Sequence, residues 1–258
     1  MKSRWGAVIL VAGLTACTPQ PPPAESRYVP SAVPTQSAAA EAPDTPSPPA
    51  LASFIDNFDR PDTSLGLGDG WYMKSAPTNG YPLPPATDGF IKDNYFGYAG
   101  NDDVHAIRVF RGALKSVGAV GRFRTTGLGG LTLFSMGTSA AADLSVNVVS
   151  FVSSRSFWVL KMRAANGVDQ TVTEGKYTFP LEPDHDYPFE LRTDATTATI
   201  KGPGLDVTKN LLAPIPPGIF GYWRLFPTRA PLADFFDFKT VWAVEDGQPV
   251  FPVPGTAP

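Results

Sequence analysis

From residue 53 onward the chain is a series of short apolar runs separated by turn residues, and nowhere do apolar positions recur at helical spacing over three turns. The runs are Val104–Phe110, Val117–Thr125, Gly130–Met136, Leu144–Val152, Phe157–Arg163, Tyr187–Thr193, Ala198–Lys201, Ile219–Phe226 and Phe235–Val244. They are rich in Val, Ile, Phe, Trp and Thr, the residues that fit a pleated surface. Between them stand Gly127-Leu128-Gly129-Gly130, Ala165-Asn166-Gly167, Pro183-Asp184-His185-Asp186 and Gly202-Pro203-Gly204. Asn166-Gly167 predicts a hairpin, because both residues tolerate a positive φ. In Tyr187–Arg192, Phe189 and Leu191 alternate with Glu190 and Arg192. Period-two alternation with half the positions polar belongs to antiparallel strands covered on one face. Nine or more such strands predict an all-β, two-sheet antiparallel β-sandwich or jelly roll over residues 53–246.

Ahead of the sandwich the pattern changes twice. Met1–Arg4 is short and basic, Trp5–Leu14 is apolar and uncharged, and Leu14-Thr15-Ala16 precedes the single cysteine, Cys17. The apolar run is too short for a hydrocarbon core about 30 Å thick, so a retained membrane helix is not expected. The three regions together resemble a bacterial lipoprotein signal peptide over residues 1–17. That resemblance implies lipidation of Cys17 and a lipid-bilayer anchor on the extracytoplasmic face of a cell membrane or outer membrane. From Thr18 to Ala52 ten of 35 residues are proline and most others are Ala, Ser or Thr. Proline removes donors and the small residues bury little, so this stretch reads as a disordered tether with a reach on the order of 100 Å. Residues 247–258 form a second proline-rich segment, a tail.

Composition narrows the chemistry. The 28 prolines and 24 glycines speak against a helical bundle, while 17 Phe, 8 Tyr and 5 Trp supply a core. A formal charge of −3 offers nucleic acid no basic footprint. One cysteine leaves no internal disulfide or multi-cysteine metal site, and two histidines exclude a three-histidine centre.

Two segments sharpen the fold. Phe54-Ile55-Asp56-Asn57-Phe58-Asp59-Arg60, then Gly70-Trp71, open the domain, and Gly218–Tyr222 with Ala233–Phe238 close it. Together these resemble the concanavalin A-like lectin/glucanase family in its bacterial laminin-G-like form, departing from it at the insertion Pro77–Pro85. The resemblance implies that first and last strands pair and that their aromatics fill the sandwich. It further implies that one structural calcium is held near the paired termini, with Asp56, Asp59 and Asp237 as ligands by position. A second reading has these aspartates capping turns or pairing with Arg60 and Lys239.

Glucanases of this fold carry Glu-x-Asp-x-x-Glu on one strand, which alternation places on one face. The nearest string here is Glu182-Pro183-Asp184-His185-Asp186-Tyr187, with tyrosine at the second glutamate position. It reads as the polar turn before the Tyr187 strand. His185 has no Gly-x-Ser-x-Gly nucleophile to serve, and His105 reads as a half-buried strand residue. The expectation is therefore a protein that does no chemistry, with a hydrolase or lyase as the lesser alternative. Alternation puts Trp158 and Met162 on one face of their strand, Lys161 and Arg163 on the other. It likewise separates Trp223 from Tyr222 and Arg224. With the tryptophans inward, Lys161, Arg163, Tyr222 and Arg224 are the expected exposed ligand-binding residues. The predicted function is glycan or envelope-polymer binding by a surface lipoprotein, the alternative a structural envelope protein with no small ligand.

Overall fold

The structure is a computed structural model and describes residues 50–63, 66–68, 70–76, 89–98, 103–124, 132–226 and 235–256. The signal segment with Cys17, nearly all of the tether, the Pro77–Pro85 insertion and the Gly127–Gly130 turn lie outside the described residues. Every element found is a strand: β1 (Leu51–Ala52), β2 (Phe54–Asp56), β3 (Trp71–Ala76), β4 (Gly89–Lys92), β5 (Tyr95–Tyr98), β6 (Asp103–Val109), β7 (Leu114–Arg124), β8 (Phe134–Ser139), β9 (Val148–Ser153), β10 (Phe157–Arg163), β11 (Asp169–Lys176), β12 (Tyr187–Thr193), β13 (Thr197–Gly202), β14 (Leu205–Asn210), β15 (Phe220–Leu225), β16 (Phe235–Glu245) and β17 (Phe251–Pro252).

They form two large antiparallel sheets. One runs β11-β10-β9-β8-β15-β6-β3, the other β14-β13-β12-β7-β16-β5-β4 with β2 beside β16. The first strand of the domain thus lies against the last long one, with Ile55 opposite Trp242 and Asp56 opposite Val241. The fold is the expected two-sheet sandwich. The strands without a strong apolar run, β3, β4, β5, β11 and β14, all lie at or next to a sheet edge. An edge strand buries less of its surface, so its sequence is free to stay polar, as in Asp169–Lys176. The Asn166-Gly167 turn joins β10 to β11, with Gly167 at φ +73° and its N–H donating to Ala164 O. Two boundaries move. The run from Leu144 yields a strand only from Val148, and the run from Gly130 gives a strand at Phe134–Ser139.

Residues 51–52 and 251–252, assigned by composition to the tether and tail, pair as β1 and β17. They cover the outer face of the eight-stranded sheet, where Ala52, Val120, Trp242 and Val253 bury one another.

Phe134 of β8 sits at the middle of the main core. Its ring stacks on Phe236 of the opposite sheet at 4.1 Å and meets Phe189 at 4.8 Å, with Phe123, Phe151 and Phe238 around it. Trp223 of β15 crosses the interior to donate its Nε1–H to Gly118 O of β7 at 2.9 Å. Phe134→Ala should lower unfolding free energy by about 3–5 kcal/mol, the cost of losing a large buried ring. Phe251→Ala, at a 59% exposed position, should cost under about 0.5 kcal/mol. Urea titration followed by tryptophan fluorescence checks both, and equal losses would remove Phe134 from the centre of the core.

Candidate functional site

Inward packing of Trp223, Met136, Phe151, Leu160 and Met162 turns their strand neighbours to the outer face of the seven-stranded sheet. Cross-strand registers arrange those neighbours in rows. Lys74, His105, Arg224, Ser135 and Val152 make one row; Tyr72, Ile107, Tyr222, Gly137, Ser150 and Lys161 make the next. Arg163 and Asp169 follow at the edge. All four sequence-predicted ligand residues, Lys161, Arg163, Tyr222 and Arg224, line one cleft of about 130 Å³ on this face.

Their environments differ. Tyr222, expected to be exposed, is only 4% exposed, because Leu144 and Val148 pack over it. Its ring lies over Gly137, where a Cβ would stand 2.7 Å from Cε1 and the hydroxyl. Arg163 donates from Nε and Nη2 to the two oxygens of Asp169 at 2.7 and 2.9 Å, and from Nη1 to Leu144 O at 2.8 Å. It therefore clamps the covering loop and the edge strand to the sheet. Arg224 rests its guanidinium 3.9 Å above the Phe226 ring. Lys161 is half-buried between Ser150 and Thr171.

His105 is the cleft residue that sequence reasoning undervalued. It is 2% exposed, and its Nδ1 has no hydrogen-bond partner. Burial, reinforced by the Arg163 charge, pushes its pKa down to about 3, so the ring is neutral through ordinary pH. The sequence reading made it half-buried; β3 and β15, one on either side of β6, leave it almost fully buried. Ser135, Ser150 and Asp169 also reach the cleft, and no linear pattern marks them.

The three aspartates proposed for calcium do not meet. Asp56 accepts from Arg60 through both oxygens, from the Trp71 indole at 2.9 Å and from Phe58 N at 2.9 Å. Asp59 is exposed on the following turn. Asp237 is buried near Arg122 and Arg124, and desolvation raises its pKa despite both cations. Lys239 pairs instead with Asp186 at 2.6 Å. Among the described residues no three His, Cys, Asp or Glu gather as a metal site, and these side chains do not fit the ion. The Glu182–Tyr187 string forms the polar turn into β12, with Asp184 at φ +55° and His185 exposed against Tyr187.

No family model matches this sequence, and no curated protein matches it. Solved structures do. A β-glucanase of Bacillus licheniformis aligns with 74% of this chain and 97% of its own at a TM-score of 0.51 and 9% identity. LamAcat of Zobellia galactanivorans aligns with 75% of this chain and 97% of its own at 0.53 and 11%. A β-1,3-1,4-glucanase (lichenase) from a mouse hindgut metagenome aligns with 74% and 98% at 0.52 and 12%. The sandwich is thus the jelly roll on which these glucanases are built. That corrects the expectation of a protein without chemistry, which rested on a missing linear Glu-x-Asp-x-x-Glu strand. A frame shared with endo-glucanases is compatible with hydrolysis, and strand pairing brings side chains together from distant segments that no linear motif records.

The buried His105 sets a pH dependence. An unfolded histidine protonates near pH 6.5, whereas the native ring resists until about pH 3. Between those values the unfolded state binds the extra proton, so stability falls as pH falls, by up to about 1.4 kcal/mol per unit. From pH 6.5 to 4.5 the native chain should lose about 2–3 kcal/mol more than His105→Leu. Parallel losses in urea melts at the two pH values would refute the assignment.

Proposed function

We propose that this protein is a lipid-anchored surface protein whose β-sandwich engages a glycan in the cleft on the outer face of the seven-stranded sheet. The observation that carries the reading is the convergence of Tyr222, Arg224, Lys161 and Arg163 around the buried His105, on a glucanase-type sandwich. Mixed aromatic and polar linings suit sugars, whose rings carry apolar faces and whose hydroxyls need donors and acceptors. Three cations face one carboxylate, Asp169, so a chain bearing uronate sugars is held more tightly than a neutral one.

Cleavage of the bound chain is a second reading, favoured by the fold shared with endo-glucanases. Two-carboxylate hydrolysis places its groups about 5–10 Å apart across the bond. Among the described residues Asp169 is the carboxylate lining the cleft, with both oxygens engaged by Arg163.

Lipidation at Cys17 and a tether over residues 18–49 are supported by the signal-like segment and by the proline content. Acyl chains contribute about 0.8 kcal/mol per buried methylene, which gives a stable anchor when more than one chain is attached. The tether then holds the sandwich at high local concentration above the bilayer.

Titration with oligogalacturonate and with mixed-linkage β-glucan should show tighter binding of the acidic chain, weakened by salt. Arg224→Ala and Lys161→Ala should each lower that affinity about tenfold. Absence of binding at millimolar concentration would overturn the reading, while release of reducing ends from either polymer would establish the hydrolytic one. Cys17→Ser should move the protein from the membrane to the soluble fraction, and persistence at the membrane would remove the anchor.

A further inference from the structure

The eight-stranded sheet also has an outer face, and a groove of about 1200 Å³ runs along it, remote from the cleft in composition and in sheet. Its floor is one row of cross-strand neighbours: Lys201 beside Glu190, Glu190 beside Gly118, Gly118 beside Trp242. Ser116, opposite Val244 and Arg192, stands in the adjoining row. The side of the groove next to Trp242 is formed by residues of and near β1 and β17, the other by the β13–β14 turn.

Gly118 hollows this row. A Cβ there would lie 2.1 Å from Cε2 and Cζ2 of Trp242 and 2.7 Å from Nε1, so the indole occupies the space above the glycine. The carbonyl of Gly118 is already taken from inside the sandwich by Trp223. Trp242 is 1% exposed, and its Nε1–H has no acceptor. The Ser116 hydroxyl, equally buried, has no partner either. Both residues line the groove. Two orphan polar groups in adjoining rows are uncommon in a native interior, where such groups find partners. A ligand that reaches them recovers what folding left unmade.

The charges of the groove are already matched. Arg192 holds Glu190 at 2.8 Å, Lys201 holds Asp206 at 3.1 Å, Lys115 holds Asp246 at 2.6 Å and Lys239 holds Asp186 at 2.6 Å. No uncompensated charge remains among these pairs to select an ionic ligand. Tyr187, Pro188 and Leu205 add apolar surface to the lining. We infer that this groove is a second carbohydrate site, which takes a neutral oligosaccharide whose hydroxyl oxygens accept from Trp242 Nε1–H and exchange a hydrogen bond with Ser116 Oγ. The class of ligand rests on the glycan reading above; the site does not.

The test is calorimetric titration of the full chain with a mixed-linkage β-glucan hexasaccharide, comparing Trp242→Phe, Ser116→Ala and Arg224→Ala. Phenylalanine keeps an aromatic ring over Gly118 and removes the orphan N–H, so the thermal midpoint should hold or rise. Affinity at the groove should fall about tenfold, and Ser116→Ala should weaken it in the same direction. If Trp242→Phe lowers the midpoint, Ser116→Ala decides. Wild-type affinity in a stably folded Trp242→Phe and in Ser116→Ala overturns the inference. Loss confined to Arg224→Ala places the sugar in the cleft, overturning the groove and sparing the proposed function. Loss confined to Trp242→Phe and Ser116→Ala establishes the groove, and the cleft then stands or falls on the oligogalacturonate titration. No heat or shift with the wild-type chain overturns the groove.

Discussion

The stack of Phe134 on Phe236 at 4.1 Å joins the two sheets at their centre, and the remaining geometry follows from it. Phe134 belongs to the middle strand of one sheet, and Phe236 to the strand of the other that pairs along its length with β7. Fixing these two rings fixes which residues of β8 and β16 point inward. Register then passes through hydrogen-bonded neighbours to every strand, because a slip by one residue would turn a whole strand inside out. Trp223 adds a directional constraint, since its hydrogen bond to Gly118 O must span the interior at one height.

The same constraint manufactures the two outer faces. With Trp223 inward, Tyr222 and Arg224 are outward; with Val241 and Ala243 inward, Trp242 is outward. In each sheet the outward aromatic fills the space over a glycine of the neighbouring strand, Tyr222 over Gly137 and Trp242 over Gly118. A side chain at either glycine would drive the ring off the sheet. These two pairs therefore shape both depressions, and each leaves buried polar atoms beside it: His105 Nδ1 in the cleft, Trp242 Nε1 and Ser116 Oγ in the groove. The two surfaces differ in charge. The cleft carries more cations than anions, whereas the groove has its ions tied in pairs.

Closure of the domain shows why carboxylates here serve the frame. Asp56 ties the opening strand to Arg60 and to the Trp71 indole, and Asp237 is drawn into the sheet near Arg122 and Arg124. Each is engaged by cations in the role that a metal ion would fill by attraction, so the aspartates end up with different partners and in different places.

Alternation alone determined a good deal. It marked the nine best-covered strands, separated Trp158 and Trp223 from the basic residues next to them, and put Lys161, Arg163, Tyr222 and Arg224 on outward positions. This works because a strand has period two and a core accepts only one of its faces. The Asn166-Gly167 hairpin was equally legible, since its backbone needs a residue at positive φ. Edge strands such as Asp169–Lys176 were not, because they bury too little to carry an apolar run. Nor was the burial of His105 and Tyr222, which depends on the flanking strands and on a loop folded back from Leu144. The rows that assemble the cleft and the groove were decided only by the tertiary structure: they join residues up to 150 positions apart, as Tyr72 and Tyr222 are, and no local pattern encodes which strand lies beside which.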